Sequence, residues 1–320
     1  MLIIQTAFIG DAILATALLE KLHTSYPDAR LDILVRKGNE SLFTGHPFLR
    51  DVLIWNKKQG KYRELLRLIG QVRRRRYDRV VNLQRFGATG LLTMLSKARE
   101  TIGFRKNPFS YGFTRRVAHR IGDGTHEIDR NLQLIAHLTD TGRVRPRLYP
   151  SPADHAVTET PHPYVCFAPT SVWFTKQWPA DRWVELGNKI PATIAIHLLG
   201  GPGDRAGCQQ ILEAIRRPNI HNRAGELSFL QSAALMERAR MNYVNDSAPL
   251  HLCSAVNAPV TAIFCSTVPE FGFTPLSDVS VVEETFHELN CRPCGLHGKR
   301  ACPEGHFRCS EIRVSTDEIF

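Results

Sequence analysis

The feature that most restricts how this chain can fold is a repeated alternation between short apolar runs and amphipathic segments. Apolar runs predict buried strands, and apolar residues recurring at every third or fourth position predict helices. Alternating strands and helices favour an α/β fold, in which helices cover both faces of a parallel sheet. Strands are expected at Leu2–Ile4, Leu31–Val35, Val52–Trp55, Asp78–Gln84, Tyr164–Ala168, Thr193–Leu199, Tyr243–Val244 and Pro259–Phe264. Helices are expected at Ile13–Leu22, Tyr62–Val72, Ala88–Leu95, from His126 onward, Pro179–Ile190, Arg205–Arg216, Leu227–Arg238 and Pro249–Val256.

The alternation is interrupted by a proline-rich stretch that runs from Arg145 to Asp154 and on through Thr160–Pro163. This stretch lacks periodicity and therefore predicts an interdomain linker. A length of 320 residues also suits two domains of ordinary size better than one. We expect two doubly wound, Rossmann-like domains, 1–150 and 151–320, that face each other across a cleft. Because such sheets bind ligands at the carboxyl ends of their strands, the active site is expected in that cleft.

The net charge of +10 is distributed unevenly along the chain. Residues 1–150 hold 27 Lys and Arg against 13 Asp and Glu, whereas residues 151–320 hold 14 against 18. Such asymmetry indicates an anionic partner for the first half, which could be nucleic acid, a phosphorylated lipid or an anionic membrane. The run Arg73–Arg76 is open to two interpretations, namely cations that complement a helix C-terminus or a contact with acidic lipid. The chain lacks the interleaved aromatic and basic residues of RNA-binding proteins, so we expect no nucleic-acid partner.

The sequence also predicts where the protein resides. It has no run of about 18 apolar residues, so no transmembrane helix is expected. Its first residues enter a strand at once, without a basic segment and cleavage site, so no signal peptide is expected. We therefore expect a cytoplasmic protein, peripheral on the inner face of the inner membrane if the basic half contacts lipid.

The turn Gly10-Asp11 follows the first strand and precedes the first helix. A phosphate cradle needs several glycines so that the backbone can approach the ligand, and this turn has a single glycine and a carboxylate that would repel phosphate. Asp11 is therefore either an N-cap, a position where aspartate is favoured, or a carboxylate with a chemical role.

Three motifs in the second half follow predicted strands, and together they predict a nucleotide-diphosphate site that needs no metal. Asp246 and Ser247 precede a helix whose N-terminus offers free N–H groups to phosphate. The alternative is a well-capped helix in which one of these two residues is the cap. Thr170 and Ser171 come before Lys176 in a loop that could equally be a connection anchored by Trp178. The third motif is a glycine-rich turn, Gly200–Gly203, followed by Asp204. The acid is suited to holding a ribose hydroxyl, but this motif alone is a weak indication.

The segments GDAILATALL, APTS…TKQWPADRW, GGPGD and VNDSAPLHLCSAVNAPV, in this order and spacing, resemble the heptosyltransferases of glycosyltransferase family 9. HEIDRNLQLI resembles the end of that family's first domain. The resemblance implies a GT-B fold and transfer of heptose from ADP-heptose, with inversion and without a catalytic metal or other cofactor. It implies a lipid-linked saccharide acceptor from the lipopolysaccharide core. The alternatives are a protein (autotransporter) heptosyltransferase and a sugar-nucleotide epimerase of similar fold.

The resemblance also implies a role for each matching residue. Asp11 matches the catalytic aspartate, the general base that would take the acceptor hydroxyl proton. Lys176 matches the lysine at the donor phosphates and sugar, and Asp246 matches the acid that holds the heptose hydroxyls. The remaining donor-binding residues are Thr170 and Ser171 at the diphosphate, Asp204 at the ribose, Leu227 near the adenine, and Ser247, Ala248 and His251 at the phosphate-facing helix start.

Eight cysteines fall into two groups. Cys166, Cys208, Cys253 and Cys265 stand among apolar neighbours and predict buried thiols. The other four are Cys291, Cys294, Cys302 and Cys309, and their spacing predicts a structural metal site with four thiolate ligands, for which His297 and His306 are substitutes. Zinc and iron are the two candidate ions. This cluster is similar in kind to the four-cysteine iron site of autotransporter heptosyltransferases. Disulfides and free thiols are the alternatives.

Overall fold

A computed structural model describes residues 1–58, 60–160 and 163–316. The chain divides into two compact units, Met1–Tyr149 and Pro150–Phe320. Each unit contains a six-stranded sheet in which every strand pairs in parallel with its neighbours. The α/β architecture expected from the alternation of strands and helices is therefore confirmed.

The sheet of unit 1 has the order β3-β2-β1-β4-β5-β6. Its central strand β1 is buried along its whole length, as expected for a strand that helices cover on both faces. The elements of unit 1 are β1 (Leu2–Gln5), α1 (Ile9–Leu14), α2 (Thr16–Ser25), β2 (Leu31–Arg36), β3 (Leu49–Trp55), α3 (Lys61–Arg75), β4 (Arg79–Asn82), α4 (Gly87–Met94), β5 (Glu100–Phe104), β6 (Arg115–Val117) and α5 (Glu127–Gln133).

The sheet of unit 2 has the order β12-β11-β10-β7-β8-β9, so the strand order reverses between β10 and β7. Its elements are α6 (Pro152–Val157), β7 (Tyr164–Ala168), α7 (Ala180–Lys189), β8 (Ala195–Leu198), α8 (Arg205–Ile215), β9 (Ile220–Asn222), α9 (Phe229–Glu237), β10 (Asn242–Asn245), α10 (Ala248–Val256), β11 (Val260–Phe264) and β12 (Ser280–Glu284). Short 3-10 turns, Phe174–Lys176 and Pro202–Asp204, follow β7 and β8.

Four strands, β5, β6, β9 and β12, were not predicted from the sequence. Three of them are edge strands, in which polar residues replace the apolar runs that identify buried strands, and β5 has an interior glycine. The stretch expected to be a structureless linker also contains α6, which begins with a capping box formed by Ser151 and Asp154. Residues 161 and 162 of that stretch lie outside the described residues.

No helix in the described part of the chain combines the length and apolar character needed to cross a bilayer. The core of unit 2 is formed by the buried faces of β7, β8 and β10 together with α7 and α8. Two tryptophans belong to it: Trp183 is fully buried, and Trp178, at the end of the loop that follows β7, is 5% exposed. The loop after β7 is therefore tied to the core at its far end, close to the residues described next.

Candidate active site

The carboxyl ends of β7 and β10 lie side by side at the point where the strand order of unit 2 reverses. In doubly wound sheets this reversal opens a crevice in which ligands bind. The loop after β7 carries Thr170, Ser171 and Lys176, and the turn after β10 carries Asp246 and Ser247. The structure therefore brings two of the three motifs to one place.

Lys176 and Asp246 form an ion pair at this point, with 2.6 Å between Nζ and Oδ2. The two side chains are only 14% and 8% exposed. Thr267, which follows β11, donates a hydrogen bond of 2.6 Å to the same Asp246 oxygen. The lysine charge is thus held at the carboxyl edge of the sheet by a buried carboxylate that is itself oriented by a hydroxyl.

Thr267 was not predicted as a site residue. It belongs to the turn Cys265-Ser266-Thr267, directly after the predicted strand that ends at Phe264. Two hydroxyls in a turn at the end of a strand were the available signal, because the carboxyl ends of parallel strands meet at the same edge.

The helix α10 begins at Ala248, and Ser247 is its N-cap by position. The Ser247 side chain nevertheless makes no capping hydrogen bond, and its buried Oγ atom has no hydrogen-bond partner in the described part of the protein. The capped-helix alternative therefore holds for the position of Ser247 but not for its hydroxyl. Further along the helix, His251 is buried and its ring lies 6.4 Å from that of Phe273 in an edge-on arrangement.

The loop after β7 is held in place at several points. The backbone amide of Trp178 donates to Asn245 Oδ1 over 3.0 Å, and its indole N–H donates to the Ser310 carbonyl over 3.1 Å. Gln177 Nε2 donates to the Ser171 carbonyl over 2.7 Å. Trp178 thus anchors this loop, as the alternative interpretation held, and the anchored loop also carries Thr170, Ser171 and Lys176.

The third motif lies at the carboxyl end of β8, next to β7 in the sheet. Asp204 Oδ2 accepts a hydrogen bond of 2.7 Å from the Gly201 amide, so the acid stabilises its own turn. The Gly225 amide, in the loop after β9, donates to the Gly200 carbonyl over 2.9 Å and joins the two loops. Leu227 is partly exposed in that second loop, just before α9 begins.

Asp11 lies in the first turn of α1, at the carboxyl end of β1 in unit 1. It is not the N-cap: the helix begins earlier than expected, and the cap position is occupied by Phe8. Burial raises the pKa of Asp11 to about 6, and the charge of Glu127 acts in the same direction. Hydrogen bonds from the backbone amides of Phe8 and Asp11, and the charge of Arg85, act in the opposite direction.

Three buried side chains that were not singled out from the sequence belong to the surroundings of Asp11. Glu127 accepts a 2.8 Å hydrogen bond from Arg130 Nε, and His119 Nε2 lies 4.0 Å from the same Glu127 oxygen. Burial and the charge of Arg85 lower the pKa of His119 to about 4, so this ring is neutral at physiological pH. Glu127 and Arg130 come from the HEIDR segment, where the alternation of strands and helices indicated only the start of a helix.

The cysteines expected to be buried thiols are buried in the described structure: Cys166, Cys208, Cys253 and Cys265. The other four lie near one another. Burial raises the pKa of Cys309 to about 12, and the nearby Cys294, Cys302 and Cys291 add to this rise. Cys291 Sγ lies 3.9 Å from His306 Nε2. Among the described residues, however, no group of three or more Cys, His, Asp or Glu side chains has an arrangement that could hold a metal ion.

Comparison with known proteins assigns the chain to a family. The family model "Glycosyltransferase family 9 (heptosyltransferase)" matches residues 65–303. The chain belongs to glycosyltransferase family 9. Lipopolysaccharide heptosyltransferase 3 of Escherichia coli is 27% identical over 279 residues, which cover 81% of this chain and 82% of that protein. The family resemblance drawn from the sequence motifs is confirmed.

Two solved structures share the fold of this family 9 chain. The glycosyltransferase family 9 protein from Veillonella parvula has a TM-score of 0.79 at 20% identity and covers 88% of this chain and 84% of its own. The ADP-heptose lps heptosyltransferase II of E. coli has a TM-score of 0.78 at 20% identity and covers 92% of this chain and 95% of its own. The GT-B fold is therefore confirmed, and the protein is a glycosyltransferase.

Proposed function

We propose that this glycosyltransferase transfers heptose from ADP-heptose, with inversion, to a saccharide of the lipopolysaccharide core. The observation that carries the proposal is the Lys176–Asp246–Thr267 cluster beside the start of α10. A nucleotide diphosphate needs positive charge and N–H donors, and here a lysine and a helix N-terminus supply both without a metal. The two E. coli relatives named above are heptosyltransferases, which favours heptose as the sugar.

In this proposal the residues of unit 2 bind the donor. When the donor binds, Lys176 shares its charge between Asp246 and the diphosphate. It then neutralises the negative charge that develops as ADP departs. Asp246 then accepts hydrogen bonds from sugar hydroxyls, for which its orientation by Thr267 prepares it. The Ser247 hydroxyl and the first N–H groups of α10, at Ala248 and near His251, take phosphate oxygens. Thr170 and Ser171 serve the same diphosphate, Asp204 the ribose and Leu227 the adenine.

Asp11 of unit 1 acts as the general base in this proposal. Inverting transfer needs a base that removes the proton of the acceptor hydroxyl as that oxygen attacks the anomeric carbon. A carboxylate with a pKa of about 6 is ionised at neutral pH and is a stronger base than an ordinary aspartate. The bond from the anomeric carbon to the ADP oxygen breaks as the new glycosidic bond forms.

The proposal is tested by incubating the protein with ADP-heptose, with and without a lipopolysaccharide core acceptor, and following both products by mass spectrometry. Glycosyl transfer predicts ADP release that depends on the acceptor and an acceptor heavier by one heptose. A sugar-nucleotide epimerase would instead change the donor when no acceptor is present. Transfer to a protein acceptor, with none to the saccharide, would favour the autotransporter alternative.

Donor identity is tested separately by thermal shift. We expect ADP and ADP-sugars to raise the melting temperature, because the site is built for a diphosphate and an adenosine. Stabilisation by UDP- or GDP-sugars without an effect of ADP-sugars would overturn the assignment of the donor. The same titrations are made with the Lys176→Ala protein. A smaller rise in its melting temperature would assign the stabilisation to this site.

We also propose that unit 1 contacts an anionic membrane through the edge of the sheet that carries Asp11. Three exposed aromatic rings, Phe8, Phe86 and Tyr111, follow the carboxyl ends of β1, β4 and β5. Arg105 and Lys106 are exposed in the same set of loops. Aromatic rings beside cations suit the interface of an anionic bilayer, so a cytoplasmic protein of this kind would be peripheral on the inner membrane.

The run Arg73–Arg76 gives this membrane contact little support. Arg75 pairs with Asp32 over 2.9 Å and also with Asp51, and Arg73 donates to the Leu95 carbonyl over 2.6 Å. These contacts fix the C-terminal end of α3 inside unit 1. The interpretation of the run as part of the helix end is therefore favoured over a contact with lipid.

We propose a structural zinc or iron ion for the four-cysteine cluster. The spacing of the cysteines in the sequence supports it. Binding an ion would require the four side chains to draw together, since they are not arranged to hold one in the described residues. Cysteine binds such ions as the thiolate, so ligation would hold these side chains deprotonated. Metal analysis of the purified protein is expected to find about one ion per chain, and less in the Cys302→Ser variant. A metal-free, fully folded protein would contradict the proposal.

A further inference from the structure

The segment 291–299, which we call the strap, is tied to the turn after β11. The Arg292 guanidinium donates from Nε to the Cys265 carbonyl over 2.7 Å and from Nη2 to the Thr267 carbonyl over 2.7 Å. It also forms an ion pair with Glu284. The Cys294 amide donates to the Ser266 carbonyl over 2.9 Å. These bonds fix the strap to the turn that supplies Thr267 to the site.

The far end of the strap pairs with Thr175, the residue before Lys176. The Lys299 amide donates to Thr175 Oγ1 over 2.8 Å, and the Thr175 amide donates to the Lys299 carbonyl over 3.1 Å. The Ser266 hydroxyl donates to Thr175 Oγ1 over 2.9 Å. Because Thr175 is 1% exposed, these bonds are shielded from water, and breaking them would leave buried polar groups without partners.

Gly298 places the backbone of the strap against the stem of Lys176. Its φ of +77° is a left-handed conformation that favours glycine. A Cβ at this position would lie 3.0 Å from Lys176 Cγ, 3.0 Å from Thr175 Oγ1 and 3.3 Å from Ser266 Oγ. A methyl group here would therefore have to displace the lysine stem or the two hydroxyls.

We propose that the strap positions Lys176 for the departing diphosphate, with Thr175 and Gly298 as positioning residues. The inference rests on the proposed role of Lys176 at the donor. The strap closes over the lysine stem, Thr175 joins it to Ser266, and the ammonium group is thereby directed to Asp246 and to the phosphates. Charge neutralisation in the transition state depends on such a fixed position, because reorientation during the reaction would weaken it.

The test compares Gly298→Ala with Gly295→Ala. Gly295 lies in the same strap with a nearly identical φ of +79°, but a Cβ there would meet nothing within 4 Å. The two variants share the backbone strain, and the contact with Lys176 distinguishes them. We expect Gly298→Ala to lower kcat at least about tenfold with the KM for the acceptor little changed, and Gly295→Ala to stay within about twofold of the natural protein.

A second pair keeps the test decisive if Gly298→Ala does not fold. Thr175→Val removes the hydroxyl that joins the strap to Ser266, whereas Thr175→Ser retains it. We expect Thr175→Val to reduce kcat about tenfold or more and Thr175→Ser to restore most of the activity. Melting temperatures of the four variants establish that folded proteins are being compared.

Lys176→Ala separates failure of this inference from failure of the proposed function. If Lys176→Ala is inactive while Gly298→Ala matches Gly295→Ala and Thr175→Val matches the natural protein, the strap has no positioning role. If Lys176→Ala itself retains full activity and full ADP binding, the proposed role of the lysine is wrong, and the strap inference fails with it.

Discussion

Asp11, the proposed general base, lowers the stability of the folded protein because its carboxylate is buried. Its pKa is raised from 3.8 to about 6, because burial and the charge of Glu127 disfavour the ionised form. Above pH 6 the folded protein therefore holds a carboxylate that would be more stable in the unfolded chain. The shift of about two units corresponds to roughly 3 kcal/mol of lost stability at neutral pH.

We expect Asp11→Asn to raise the free energy of unfolding by up to about 3 kcal/mol at pH 7 while abolishing transfer. The gain should be small at pH 4 and vanish below about pH 3, where Asp11 is protonated in both the folded and the unfolded chain. It should grow between the unfolded pKa of 3.8 and the folded pKa of about 6 and stay constant at higher pH. Urea unfolding at pH 4 and pH 7.5 measures both values. An active Asp11→Asn protein would contradict the role of general base.

The pH dependence of the reaction follows from the same carboxylate. Because a general base must be deprotonated, we expect kcat/KM to fall about tenfold for each pH unit below the pKa of Asp11, near pH 6. In Glu127→Gln the negative charge that helps to raise this pKa is removed, so the fall should move to lower pH. A pH profile identical in the natural protein and in Glu127→Gln would show that the carboxylate that titrates is not Asp11.

At the scale of elements, two serines at helix N-caps offer a direct comparison. Ser228 caps α9 by accepting a hydrogen bond of 3.1 Å from the Gln231 amide, whereas Ser247 at the start of α10 makes no such bond. The buried Ser247 hydroxyl has no hydrogen-bond partner in the described part of the protein, so it is free to turn towards a phosphate bound at the start of α10. Substitution by alanine should therefore lower the stability at Ser228 and weaken ADP binding at Ser247.

We expect Ser228→Ala to lower the free energy of unfolding by about 1 kcal/mol and to leave ADP binding unchanged. Ser247→Ala should change stability by less than about 0.5 kcal/mol and weaken ADP binding by roughly fivefold, the loss of one hydrogen bond. Urea unfolding and calorimetric titration with ADP measure the two effects. If Ser247→Ala behaves like Ser228→Ala, Ser247 is a cap and no phosphate ligand.

The elements also show how far the sequence could predict this fold. Strands buried on both faces, such as β7 and β11, are continuous apolar runs and were found within one residue of their ends. The edge strands β6 and β9 are three residues long and polar, so no periodicity identifies them. Their existence follows from pairing with a neighbouring strand, which is a property of the assembled sheet.

The candidate site was predictable where a motif adjoins a strand end. Lys176 and Asp246 were singled out from such positions, and the structure joins them in one ion pair. The contribution of Ser266 and of the strap was beyond prediction, because they meet Thr175 only through long-range hydrogen bonds. Glu127 was missed for the same reason: its influence on Asp11 depends on the packing of α5, not on nearby sequence.

For the whole molecule, the excess of positive charge in residues 1–150 predicts binding to anionic vesicles that weakens as salt rises. We expect Phe86→Ala combined with Tyr111→Ala to reduce vesicle binding severalfold, because each ring contributes buried apolar area at the interface. Phe286→Ala is the matched control, since Phe286 in unit 2 is 60% exposed and Phe86 is 63% exposed. Vesicle sedimentation measures the binding. If Phe286→Ala lost as much vesicle binding as the double variant, the assigned surface would be contradicted.

The central claim is that this family 9 protein moves heptose from ADP-heptose to a saccharide acceptor, with Lys176 at the diphosphate and Asp11 as the base. The most direct measurement is acceptor-dependent release of ADP, followed for the natural protein, Lys176→Ala and Asp11→Asn under identical conditions. We predict release with acceptor only, an acceptor heavier by one heptose, and a loss of at least about a hundredfold in each variant. Release that is independent of the acceptor, or that persists at the natural rate in either folded variant, would contradict this account.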